Sequence, residues 1–390
     1  MTTPFLSESD IAELTDWRRE LHRHPELSGE EIQTAERVCA MLQATNPDDI
    51  ITRLGGHGVA AIYDSGIEGP AVLLRCELDG LPIEELNPNL PHRSRIIGRG
   101  HLCGHDGHMA ILAATARWIG RNRPTHGRVI LLFQPAEEDG SGAKKVIEDS
   151  RFESIKPDYA FSLHNFPGIP LGAAALAAGP ANCASRGMKI VLNGRTAHAS
   201  QPENGQSPAA ALASLLVDLP AFSQGSDSAD PEFALVTITH ANLGEPAFGI
   251  APGQGELWVT LRTQKDATMA GLVSRAETLV SKAAKAGKLE HSISYHDVFH
   301  HCENDPEATK ILQAALDAIE IPSAEVETPL RGSEDFGRFR EHARSAMFLL
   351  GSGIDRANLH NPDFDFPDNL IPIGAQIFVK SLEGLCYKSA

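Results

Sequence analysis

The stretch GHLCGHDGHM, residues 100–109, gathers one cysteine, three histidines and one aspartate within ten positions. Cys103 and His105 are two apart, a spacing that faces one side only in extended chain, so both are assigned to a loop leading into a helix that begins near Asp106. From such a start His105 and His108 share a helix face. A thiolate beside imidazoles suits zinc and its transition-metal neighbours, and a helix N-terminus favours the thiolate. One histidine in such a place commonly does no more than cap the helix; a cluster of this density points to metal. A second signal is PAEE, where Glu137 and Glu138 follow an apolar run. Adjacent residues in extended chain point to opposite sides, which lets one bind metal while the other faces a water molecule as its base. His164 closes a strand-like run in SLHNFPG, and His360 lies in LHNPDFDF. Cys103, His105, Glu138, His164 and His360 together exceed what one catalytic zinc with an open position needs; they suit two metals sharing a bridge and a water.

The elements around these residues are expected to form an α/β protein. Ile11, Leu14, Trp17 and Leu21 recur at helical steps and predict a first helix ending before Pro25. In SGEE, Ser28 and Glu31 are spaced as a capping box that would open a second helix. The short apolar runs 71–75, 128–133 and 159–164 alternate with helical stretches, which argues for a largely parallel sheet. Each run ends on polar residues, CELDG, QPAEE and HNFPG, and sites of open α/β sheets lie beyond the carboxyl ends of strands. From about 186 the order becomes β-α-β-β-α-β, the ferredoxin-like arrangement. The expected organisation is a first segment over 1–185, an inserted domain over 186–296 and a second segment over 297–390.

A chain of 390 residues exceeds one ordinary hydrophobic core, which agrees with two domains. The formal net charge of −17 repels phosphate backbones and anionic lipid, which excludes nucleic acid and membrane as expected partners. The start MTTPFLSESD has neither a basic nor an apolar leader region, and no later apolar run is long enough to cross a bilayer, so a cytoplasmic protein is expected. The six cysteines have no paired spacing and read as free thiols, with Cys103 the one beside histidines.

The ordered set HRHPELSGEE, LLRCELDGLPIEE, GRGHLCGHDGHMA, LLFQPAEEDGSGA, LHNFPG, GRTAHASQP, GSEDFG and LHNPDFDF resembles the amidohydrolase branch of the dinuclear aminoacylase and carboxypeptidase family. That branch contains hippurate hydrolase, indoleacetyl-amino-acid hydrolases and N-acetyldiaminopimelate deacetylase. The resemblance implies a zinc-exopeptidase-like catalytic domain with an inserted ferredoxin-like lid, a homodimer formed through that lid, and two divalent ions, zinc, manganese, nickel or cobalt. It matches Cys103, His105, Glu138, His164 and His360 to the metal-ligand positions and Glu137 to the general acid/base. Asp79 is matched to an aspartate that orients a ligand, and His198 to a lid histidine that closes over the substrate. The implied reaction is hydrolysis of N-acyl amino acids to a carboxylic acid and an amino acid. The alternatives are a dipeptidase or carboxypeptidase of the same fold, or an idle protein that binds an acyl amino acid. Three positions depart from the pattern or stay open: Glu77 stands where the branch usually has Asp, Gly249 where many relatives have Asn, and Arg262 matches a lid arginine by position, with a role toward a substrate carboxylate left open. Glu334 and Asp335 of GSEDFG have no assigned role.

Overall fold

In the strands β3 (Ala71–Glu77) and β4 (Arg128–Gln134) nearly every residue is buried, so side chains on both faces must find apolar cover. This is what a computed structural model describing residues 5–387 shows. A seven-stranded sheet runs in the order β1 (Asp49–Leu54), β2 (Gly58–Asp64), β4, β3, β5 (Tyr159–Pro167), Arg344–Gly353 and Ala174–Ala175. The four strands from β4 to Arg344–Gly353 are parallel; β1, β2 and Ala174–Ala175 join antiparallel. The two-residue period divides each strand between two cores. Val72, Leu74, Val129, Leu131 and Phe133 pack with the helices α1 (Glu8–Arg23), α3 (His105–Arg121) and Leu370–Cys386. Leu73, Ile130 and Leu132 meet Val146, Phe152, Phe336 and Phe339 on the other side. Burial of each such side chain contributes about 1.5–3 kcal/mol.

The capping box expected at Ser28 and Glu31 does not form. The helix α2 (Ile32–Gln43) has Glu31 as its N-cap residue with no side-chain cap, and the Glu26 carboxylate instead accepts from the Gln33 and Thr34 amides at 3.2 and 2.7 Å. A capping box does form at α1, between Ser7 and Asp10.

The chain divides into two compact units. The first runs up to Ala181, takes in Glu303–Val326 and resumes at Asp335; the second is Asn182–Cys302 with Glu327–Glu334. The second unit holds a four-stranded antiparallel sheet in the order Ala234–Leu243, Gln254–Thr263, Ala184–Asn193, Glu290–Phe299. Its helices Ala209–Asp218 and Asp266–Ala286 bury Leu212, Leu215, Leu272 and Val280 against Ile190, Leu257 and Val259. Numbered along the chain, these strands stand 2-3-1-4, the ferredoxin-like order. The segment 327–334 differs from the expected division because its backbone is tied to this unit. The Leu330 carbonyl accepts from the Cys183 amide at 2.9 Å, and Ser228 Oγ donates to the Pro329 carbonyl at 2.7 Å. All six cysteines are free, and among the described residues no helix is long and apolar enough to cross a membrane.

In the first unit a buried ion network ties α1 to the first turn of α3. Arg18, fully buried, lies 2.7 Å from Asp106 and 2.5 Å from Asp365, while His22 Nδ1 lies 2.8 Å from the same Asp106 carboxylate and Nε2 3.3 Å from Glu85. Burial resists a charge on His22, but Asp106 and Glu85 outweigh it and raise the ring to about 9. A raised folded-state value contributes stability that is fully present below the ordinary histidine value of about 6.5 and is lost as pH climbs towards about 9. Urea unfolding under fixed metal loading should therefore show stability falling by on the order of 3 kcal/mol from pH 6.5 to 9. H22Q should lack that slope; an equal slope in the variant would contradict the assignment.

Candidate metal centre

The polar residues that end β3, β4 and β5 lie with the start of α3 in one buried cluster. Gly104 precedes α3 in a left-handed conformation, φ 92°, and a side chain there would collide with Asn165. This turn sets Cys103 in the loop and makes His105 the first helical residue, one position earlier than the sequence suggests.

His105 is fixed by its Nδ1–H, which donates to the Asp79 backbone carbonyl at 2.8 Å. The other ring nitrogen, Nε2, then faces the carboxylates of Glu137 and Glu138, each at 3.8 Å, and is buried without a hydrogen-bond partner. Burial disfavours a charged ring, yet the Asp79 carboxylate and the charges of Glu77 and Glu138 raise His105 to about 10. The pocket thus favours positive charge at Nε2. His164 is held the same way, Nδ1–H donating to the Asn165 carbonyl at 2.8 Å, which leaves Nε2 at 3.4 Å from Cys103 Sγ. Burial, and then the neighbouring His108, lower His164 to about 3, so its lone pair stays available. The Cys103 thiol is pushed well up by burial and by Glu138 and Glu137. His360, half-exposed and with φ 66°, brings Nε2 to 3.6 Å from Glu138.

These side chains form overlapping groups whose ligand atoms lie within 4.8 Å of one another: Cys103 with His105 and His164, Cys103 with Glu138 and His360, and His105 with Glu137 and Glu138. The donor set fits divalent metal on two counts. A buried imidazole nitrogen with no hydrogen-bond partner points at two carboxylates, and thiol, imidazole and carboxylate are the ligands that zinc and its neighbours take. The structure thus brings together all five expected ligands, the expected base Glu137, and Asp79.

Asp79 Oδ2 accepts from Ser28 Oγ at 2.7 Å and from the Glu138 amide at 3.0 Å, so the carboxylate positions the acidic turn while the backbone carbonyl of the same residue fixes His105. Gly142 closes that turn, where a Cβ would lie 1.7 Å from the Pro135 carbonyl oxygen. Ala136, immediately before the two glutamates, has φ 51°, a left-handed conformation costing about 1–2 kcal/mol. Glu77 pairs with Arg75 and accepts from His108 Nδ1–H at 2.6 Å. His108 Nε2 accepts from the Asn165 amide at 3.1 Å, so both ring nitrogens are engaged and the ring braces the strand end beside His164. Asp335 accepts from Arg75 at 2.6 Å, from Gln134 at 2.9 Å and from the Ala143 amide at 2.7 Å, joining strand ends to the helix after the acidic turn. Sequence reasoning missed Glu31, whose buried carboxylate accepts from the Ala136 amide at 2.8 Å; the SGEE spacing was visible, but its partner is 105 residues away.

Three expected residues lie in the second unit. His198 is exposed, pairs in a short ladder with Ile250, and accepts the Ser200 amide at Nδ1 over 3.1 Å, which puts its proton on Nε2. Arg262 donates to the Arg331 carbonyl and to Ser333 Oγ at 2.8 and 2.9 Å. Nothing lies within 4 Å of where a Gly249 Cβ would be, so packing does not demand glycine there.

Comparison with known proteins gives the same picture. The chain is 32% identical to an N-acetyl-L-cysteine deacetylase of Bacillus subtilis, over 91% of this chain and 83% of that protein. It is 31% identical to hippurate hydrolase of Campylobacter jejuni, over 93% of this chain and 94% of that protein. Among solved structures, a dinuclear metal-binding peptidase of the M20 family from Bacillus subtilis superposes with a TM-score of 0.79 at 25% identity, covering 96% of this chain and 98% of that one. The family model for peptidase family M20/M25/M40 matches residues 73–384, a span that includes Asp79, Cys103, His105, Glu137, Glu138, His164 and His360, and the chain belongs to that family.

Proposed function

We propose that this metal-dependent amidohydrolase cleaves the amide bond of N-acyl amino acids, releasing a carboxylic acid and an amino acid. The observation that carries the reading is the buried His105 Nε2 facing Glu137 and Glu138 beside Cys103 and His164: a ligand set and a spare carboxylate in one pocket. Cys103, His105, Glu138, His164 and His360 are assigned as ligands of two divalent ions, with Cys103 common to two of the groups. When bound, such ions supply Lewis-acid polarisation of an amide carbonyl and make a water acidic near neutral pH. The Cys103 thiolate favours the softer choices, zinc, nickel or cobalt over manganese, although availability also decides.

Glu137 takes the proton from the attacking water on its carboxylate and returns it to the amine nitrogen as the C–N bond breaks. His198, its proton on Nε2, is assigned from the family resemblance alone as the donor to the carbonyl oxygen as negative charge develops there. Asp79 keeps His105 in the tautomer whose lone pair faces the pocket. A cytoplasmic location and a homodimer through the second unit belong to the same reading. Free, mostly buried thiols suit a reducing compartment, and the strands Ala234–Leu243 and Glu290–Phe299 leave two sheet edges for pairing.

Four measurements test this reading. E137Q should keep its metal while turnover of a good N-acetyl or N-benzoyl amino acid falls about 100-fold or more; undiminished turnover would remove Glu137 from the mechanism. C103A should lose bound metal by elemental analysis, and full retention would remove Cys103 from the ligand set. In the same panel, dipeptides cleaved faster than every N-acyl amino acid would favour the peptidase alternative. For assembly, sedimentation should give about twice the 41.9 kDa chain mass; a species at the chain mass would rule the dimer out.

A further inference from the structure

The base Glu137 sits in a turn whose two flanking amides are each held by a carboxylate from elsewhere in the first unit. The Ala136 amide donates to Glu31 Oε1 at 2.8 Å, and the Glu138 amide donates to Asp79 Oδ2 at 3.0 Å. Both carboxylates depend on the segment after α1. Ser28 Oγ donates to Asp79, the Gly29 amide donates to Glu31 Oε1 at 2.9 Å, and Leu27 bridges to Gly80. Glu31 is fully buried, does not cap the helix it begins, and has its second oxygen, Oε2, buried without a hydrogen-bond partner. A side chain with this much desolvation and no role in its own helix has its reason in Ala136, the left-handed residue that turns the chain from β4 into Glu137 and Glu138.

We propose that Glu31 is a positioning residue for the general base: through the Ala136 amide it holds the left-handed turn that aims Glu137 into the pocket, as one arm of a clamp whose other arm is Asp79 at the Glu138 amide. The proposal rests on Glu137 being the base, as assigned above. Burial first, and Asp79 second, raise the Glu31 carboxyl to about 7, so the loss of its charge is a small change near neutral pH and glutamine closely mimics the acceptor. Alanine removes the acceptor and lets the turn relax, and a small displacement of a catalytic group can cost about 100-fold in rate.

The test compares wild type, E31A and E31Q for metal content, steady-state kinetics on N-acetyl and N-benzoyl amino acids, and hydrogen exchange of the peptide covering residues 134–142. E31A should keep the wild-type metal content and hold KM within about twofold, while kcat falls roughly 10- to 100-fold. Its 134–142 peptide should exchange roughly tenfold faster, and E31Q should recover both readouts to within about threefold of wild type. The clamp is overturned by unchanged exchange in E31A, by a kcat loss that only tracks metal loss, or by E31Q being as impaired as E31A. If E31A does not fold, E31D, one methylene too short to reach Ala136, takes its place with the same two outcomes. Absence of wild-type turnover on every N-acyl amino acid would instead sink the functional reading, and the exchange comparison, which needs no substrate, would still decide the clamp.

Discussion

Acidic groups buried at the carboxyl ends of parallel strands need countercharge, because taking a carboxylate out of water costs several kcal/mol unless it is paired or hydrogen-bonded. Glu77, Asp79 and Glu137 are all buried here, with Glu138 partly so. Glu77 is answered by Arg75 and His108, and the Asp79 carboxylate by Ser28 and the Glu138 amide, with His105 Nδ1 3.5 Å from its other oxygen. Glu137 and Glu138 converge on His105 Nε2, and the raised basicity of that ring shows how strongly the pocket favours a positive charge. A pair of divalent cations meets that demand and gives it a chemical use.

The remaining structure serves to keep these groups from relaxing apart. The strand period delivers the strand ends to one edge, while two apolar cores hold the sheet from both sides. The network of Arg18, His22 and Asp106 fixes the first turn of α3 next to His105, and Asp335 fastens Arg75 and Gln134 to the segment after the acidic turn. Glu77 belongs to the same brace, reaching both Arg75 and His108.

What could be read from residue order was what depends on local pattern. The apolar runs located β3, β4 and β5, the helical spacing of Leu14 and Leu21 located α1, and the clustered cysteine and histidines of 100–109 pointed to the buried polar cluster. The features that escaped depend on partners distant in the chain. SGEE has the spacing of a capping box, but Ser28 is drawn to Asp79 and Glu31 to Ala136, leaving the cap to Glu26. Arg18 finds Asp365 across nearly the whole sequence, and 327–334 joins the second unit through backbone hydrogen bonds that no side-chain pattern announces. β1 and β2, antiparallel at the sheet edge, carry no motif of chemical residues that would announce them.

The most direct measurement of the central claim is anomalous diffraction from crystals of metal-loaded protein, collected on either side of the absorption edge of the added ion. Two anomalous peaks enclosed by Cys103, His105, Glu138, His164 and His360, with the Glu137 carboxylate beside them, are the expected result. A single ion closed in by four protein ligands with Glu137 turned away, or ions bound only elsewhere, would contradict the account.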